Sequence, residues 1–158
     1  MAKRVIFYNI SLAKYGNWSI LNELRSIYQR RSKMSADLVH KHIILRIEAN
    51  KPPLEDELKE WMVELVDKIG MKILAGPISA NIDYMPGNNG PTCVVIIETS
   101  HFACHVWNDV DPALIQLDVY TCGPFDPNAV IEHIQVWDPV KVEYKYLDRE
   151  FGLNEIEF

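Results

Sequence analysis

Residues 42–70 read HIILRIEANKPPLEDELKEWMVELVDKIG, and the hydrophobic period changes partway through them. Ile43, Leu45 and Ile47 alternate with Ile44, Arg46 and Glu48, which predicts a strand with one face more apolar than the other. Pro52 and Pro53 punctuate the chain. Beyond them Leu54, Leu58, Trp61, Met62, Leu65, Val66 and Ile69 recur at steps of three and four, an amphipathic helix closed by Gly70. A strand with one face to bury beside a helix with one apolar stripe points to helices laid on a sheet.

Working outward, Met71–Leu74 reads as a short strand and 85–91 (MPGNNGP) as a loop of turn residues. Cys93–Ile97 is a continuous, β-branched apolar run, which predicts a buried strand, and the residues after it read as strand passing into turn. Leu117 and Val119 alternate with Gln116, Asp118 and Tyr120, another strand. Asp126-Pro127 is an N-cap followed by proline at the first helical position, opening a helix to about Val136. Val140, Val142, Tyr144 and Tyr146 alternate with Lys141, Glu143 and Lys145, a half-exposed antiparallel strand whose charges would blunt a sheet edge. The expected fold is α+β, a two-layer sandwich of an antiparallel sheet with helices packed on one face. Residues 39–158 form that domain. Residues 1–38 read as an N-terminal extension holding a helix over Ser19–Ser32, with Ile20, Leu24, Ile27 and Tyr28 at helical spacing and a solvated basic end at Arg25, Arg30, Arg31 and Lys33. Trp18, Trp61 and Trp137 occupy helical positions and are expected in cores.

The chain has 158 residues, 48% hydrophobic and 24% charged, the balance of a globular protein with room for one core. Its net charge of −6 argues against a general binder of nucleic acid or anionic membranes. No apolar run approaches the roughly 20 residues that span a bilayer. The first residues, MAKRVIFYNISLAKYGNW, meet polar groups too early for a signal-peptide core. Three cysteines without a CxxC pair disfavour a disulfide scaffold or a zinc ribbon. These features set the expectation of a reduced, cytoplasmic protein.

Reactive groups crowd into one stretch. Ser100 to Trp107 holds a hydroxyl, two imidazoles (His101, His105), a thiol (Cys104) and an indole. Cys122 adds a second thiol, and by strand alternation it shares a polar face with Asp118 and Gln116. Composition leaves several chemistries open. His101, His105, Cys104 and Cys122 are metal-ligand types; Cys122 or Cys104 with His105 would make a cysteine hydrolase, and Ser100 with a histidine a serine hydrolase. The two histidines could equally be hydrogen-bonded scaffold residues. No Gly-x-Ser-x-Gly elbow supports the serine hydrolase, and no glutamate sits beside His101 for a zinc motif.

The order of motifs is more specific than any one of them. Ser100-His101-x-x-x-His105-x-Trp107 followed by Asp118-x-x-Thr121-Cys122-Gly123 resembles the bacterial and archaeal S-adenosylmethionine decarboxylases, from about residue 42 to 149. The resemblance implies a pyruvoyl enzyme that cuts itself, with decarboxylation of S-adenosylmethionine for spermidine and other polyamines. Ser100 would be the pyruvoyl precursor: its hydroxyl attacks the preceding carbonyl, the peptide bond becomes an ester, and elimination and hydrolysis leave the pyruvoyl group. Cleavage would fall between Thr99 and Ser100. The new carbonyl would take the substrate amine as a Schiff base and act as the electron sink. His105 matches the histidine that assists processing, Thr92 stands where the family has a processing serine, and Cys122 matches the cysteine that protonates the substrate carbon. Asp109 stands where the family has a glutamate for the ribose, Phe102 follows the serine and would either lie near an adenine or equally serve packing, and Trp107 completes the substrate-binding set. No metal is implied, and the partner would be a second copy, as a homodimer of processed chains for which an edge strand such as Val140–Tyr146 offers contacts.

The sequence also departs from the family. Thr99 replaces a glutamate, with Glu98 one place earlier, and its β-branch would alter the geometry of the acyl shift. Trp-Pro-Glu becomes Trp107-Asn108-Asp109, and the stretch from Trp107 to Cys122 is two residues longer. These departures keep two rivals in view. One is an unprocessed homologue that binds a ligand or regulates a partner; the other is a pyruvoyl arginine or ornithine decarboxylase.

Overall fold

A computed structural model describes residues 39–98 and 100–158. The expected helix over Ser19–Ser32, the extension that holds it, Trp18 and Thr99 lie outside the described residues.

Seven strands form one sheet in the order β2-β3-β4-β5-β1-β6-β7, with every adjacent pair antiparallel. In chain order these are β1 (Lys41–Ala49), β2 (Ile73–Ile82), β3 (Gly90–Ile97), β4 (Ser100–Trp107), β5 (Ala113–Thr121), β6 (Pro139–Asp148) and the short β7 (Asn154–Glu155). Helix α1 (Glu55–Lys68) and helix α2 (Pro127–His133), which runs into a 3-10 turn (Ile134–Trp137), pack on one face. This is the expected α+β sandwich.

The alternation in β1 decides which face is covered. Ile43, Leu45 and Ile47 are buried, while Ile44 on the other side is 38% exposed. Against the buried side α1 lays Leu58, Trp61, Met62, Leu65 and Val66, each worth about 1.5–3 kcal/mol relative to exposure. Glu55, Asp56 and Glu57 suit the positive helix start; the Glu57 side chain also accepts from the Leu54 amide at 2.8 Å. Gly70, at φ +72°, ends the helix as expected. Asp126 caps α2 by accepting from the Asn128 amide at 2.9 Å. Trp61 and Trp137 meet in the core with ring centroids 4.2 Å apart.

Three expectations change. The strand expected at Met71–Leu74 is ten residues long and begins at Ile73; Gly76-Pro77 interrupts its pattern, and its pairing with β3 shifts register twice. β3 is buried on one side only: Val94 and Ile96 face outward at 38% and 48% exposure. Its apolar outward side disguised an alternating strand as a fully buried one. The segment read as strand passing into turn is the whole of β4, forming a tight hairpin with β3 in which Ile97 pairs with Ser100. Gly90 is needed where these strands approach, because a Cβ there would collide with the Val106 carbonyl oxygen.

Candidate functional site

No described helix covers the second face of the sheet. Register fixes which side chains meet there. Thr92, His105, Gln116 and Arg46 form one row across β3, β4, β5 and β1; Ile96, His101, Tyr120 and His42 form another. Paired residues on antiparallel strands share a face, so each row is a line of neighbours. The reactive residues fall into two groups, one toward each end of these strands.

The first group contains Thr92, His105 and Trp107. Thr92 Oγ1 lies 3.0 Å from His105 Nδ1, a hydroxyl paired with an imidazole across two strands. The His105 ring sits 6.0 Å from that of Trp107, whose indole N–H donates to Asn88 Oδ1 at 3.2 Å. Asp109 is engaged nearby: its carboxylate accepts from the amides of Gly87 at 2.5 Å and Asn89 at 3.4 Å. It holds the loop of residues 83–89, so a substrate diol would compete with two backbone donors for it.

The second group contains His101, Tyr120 and Cys122, flanked by His40, His42 and Arg149; Ser100 lies at the same end of the strands but by alternation on the Phe102 side of the sheet. Ser100 opens β4, and its Oγ is the buried side-chain polar atom without a hydrogen-bond partner among the described residues. A buried hydroxyl with no partner costs about 1–3 kcal/mol, a deficit that marks a reactive or ligand-facing group. Tyr120 is the hub. Its hydroxyl lies 2.9 Å from His40 Nδ1 and 3.8 Å from Cys122 Sγ, and the Arg149 guanidinium covers its ring at 4.2 Å. The edge of His101 meets the same ring at 5.8 Å. His42 donates from Nε2 to Asp118 Oδ1 at 3.1 Å and accepts at Nδ1 from Arg149 at 3.3 Å, which sets its tautomer. That hydrogen bond from His42 is the main reason the Asp118 carboxyl lies below its ordinary value.

The structure therefore brings Thr92 to His105 and sets Ser100 and Cys122 at the opposite end. Ser100 and His105 are five residues apart on one strand, roughly 16 Å at ~3.3 Å per residue, and the odd count turns them to opposite sides. Phe102 is fully buried on the helix side of the sheet, in keeping with the packing alternative for this residue. Cys104 is also buried, paired across the strands with buried Cys93, and desolvation drives its thiol far up from its ordinary value. That makes it inert as a nucleophile. The metal set does not converge: His101 and His105 are about 13 Å apart along β4, and Cys104 points to the other face. Sequence reasoning gave no role to His40, His42, Tyr120, Asp118 or Arg149. The usable signal was parity, since Asp118, Tyr120 and Cys122 alternate onto one face.

Comparison with known proteins adds a family to this geometry. The family model described as S-adenosylmethionine decarboxylase matches residues 41–150. The fold is similar to a crystal structure of the adenosylmethionine decarboxylase from Aquifex aeolicus, at 24% sequence identity and a TM-score of 0.57, covering 78% of this chain and 98% of that one.

Proposed function

Because this chain belongs to the S-adenosylmethionine decarboxylase family, we propose that it cuts itself between Thr99 and Ser100 and then decarboxylates S-adenosylmethionine for polyamine synthesis. The observation that carries this reading is Ser100 Oγ, a buried hydroxyl without a partner among the described residues, where the β3–β4 hairpin enters β4. A hydroxyl held back from hydrogen bonding is free to attack the carbonyl beside it. The residues present thus fit the pyruvoyl group that Ser100 would become, and Cys122 stands at the same end of the sheet. Once formed, that group supplies a carbonyl able to draw off the electrons left when carbon dioxide departs. The rest falls to ordinary side chains. Thr92 and His105 exchange a proton during processing, and Cys122 hands a proton to the substrate carbon that lost its carboxyl.

The reading also assigns a second copy of the chain. Thr92 and His105 cannot reach Ser100 within one chain, because β4 holds them about 16 Å apart. The sheet face without helices exposes Ile44, Val94, Ile96 and Ile78, an apolar surface suited to another such face. A two-fold axis near the middle of β4 would carry the partner's Thr92–His105 pair to the Ser100 end.

Denaturing mass spectrometry of the purified chain tests the cleavage. Fragments of about 11 and 7 kDa are expected from the 18.2 kDa chain, the smaller one blocked at its N-terminus by pyruvoyl. One intact chain would leave the unprocessed binding protein. Cys122→Ala should cut itself normally and decarboxylate about 100-fold more slowly, the usual scale for a lost general acid; normal turnover in that variant would remove Cys122 from its role. One observation favours a second substrate: Asp109 already serves the 83–89 loop. A substrate panel should therefore include arginine and ornithine.

A further inference from the structure

We infer that Tyr120 and His40 form a proton relay that resupplies Cys122, making Tyr120 a positioning and relay residue. This inference rests on the functional reading above, which gives Cys122 a proton to deliver. The three groups are connected through one atom: the Tyr120 hydroxyl lies 3.8 Å from Cys122 Sγ and 2.9 Å from His40 Nδ1. Tyr120 is near the end of β5, Cys122 is the first residue beyond it, and His40 comes from the segment entering β1. His40 and Tyr120 are both half-buried, which puts the His40 end within reach of water.

A thiol that gives its proton to substrate becomes a thiolate and must recover one before the next turnover. Tyr120 passes its O–H proton to that sulfur. His40 passes its Nδ1 proton to the phenolic oxygen and takes another from solvent at Nε2, which leaves it as the other tautomer; exchange with water, a proton leaving Nε2 and one returning to Nδ1, restores the starting form. Burial, followed by the Cys122 hydrogen bond, raises the Tyr120 phenol above its ordinary value and keeps it a donor at neutral pH. The other groups around the hub are otherwise employed. Arg149 covers the ring face and donates to His42, His42 is committed to Asp118, and His101 meets the ring by its edge without a hydrogen bond to the hydroxyl. Packing alone needs the ring; only a relay needs the hydroxyl.

The test uses Tyr120→Phe, which keeps the ring and deletes the hydroxyl. Its first readout is the pH profile of Cys122 alkylation by iodoacetamide in a Ser100→Ala background, with Cys122→Ala as the blank and Cys93 and Cys104 too buried to react. Losing a donor to the thiolate should move the alkylation midpoint up by about one pH unit, roughly tenfold slower at pH 7. His40→Ala should shift it the same way, and the double variant should be no worse than Tyr120→Phe alone. In cleaved protein, Tyr120→Phe should lower kcat and alter its solvent isotope effect while leaving KM unchanged. An unmoved alkylation profile overturns the relay even in a protein that cuts itself. Additive effects of the two substitutions overturn it as well. A wild type that never cuts overturns the functional reading and with it the catalytic use of the relay, and the fragment masses show which has failed.

Discussion

Ser100→Ala is expected to give a single 18.2 kDa band and no release of carbon dioxide. The loss should be complete, because the substitution removes the atom from which the catalytic carbonyl is made. The fold should survive. Ser100 Oγ has no hydrogen-bond partner among the described residues, so its deletion breaks no bond and leaves a small methyl at the start of β4. Thermal unfolding of the variant should therefore match that of the uncut wild-type precursor. Ser100→Cys keeps a nucleophile at the same place and should restore part of the cleavage. Two fragments from Ser100→Ala would mean that the chain is cut elsewhere or by another protein, and would end Ser100's claim.

Mixing two dead variants should restore the reaction. His105→Ala alone is expected to remain largely uncut, since the Thr92 hydroxyl loses its imidazole partner. Ser100→Ala cannot be cut at all. If the site combines Ser100 of one chain with His105 of another, a mixed dimer contains one complete site, and the His105→Ala chain is the one cleaved. With random pairing about half the dimers are mixed and about a quarter of all chains are cut, against almost none in either parent. Differently tagged copies, co-expressed and resolved by mass, would show it. If the mixture stays intact, processing is confined to one chain, and β4 would have to distort to bring together residues it now holds roughly 16 Å apart.

Much of this was legible from one sequence. The period change at Pro52-Pro53 revealed strand and helix because burial imposes different repeats on each, and Asp126-Pro127 marked a helix start because a cap needs an acceptor there. The motif from Ser100 to Cys122 maps onto β4, β5 and the residue after β5. Errors came where a local signal was ambiguous. Gly76-Pro77 hid a ten-residue strand, and Val94 and Ile96 looked buried because an apolar side chain reads the same whether it faces a helix or an uncovered sheet face. Phe102 sits between candidate site residues in sequence, so only alternation along β4, which turns it into the core, separates its packing alternative from the other.

The sequence by itself determined the sandwich, the polar side of β5 and the residue types available for the chemistry, since each depends on spacing along one strand or helix. Only the tertiary structure decided which of those residues meet. Thr92 and His105 are 13 positions apart and touch, as His40 and Tyr120 do at a separation of 80, whereas Ser100 and His105, five apart, cannot. An extended strand moves its side chains apart by ~3.3 Å per residue, while antiparallel pairing brings distant segments to within about 5 Å. Proximity in this site is set by register between strands, and register is a property of the folded sheet.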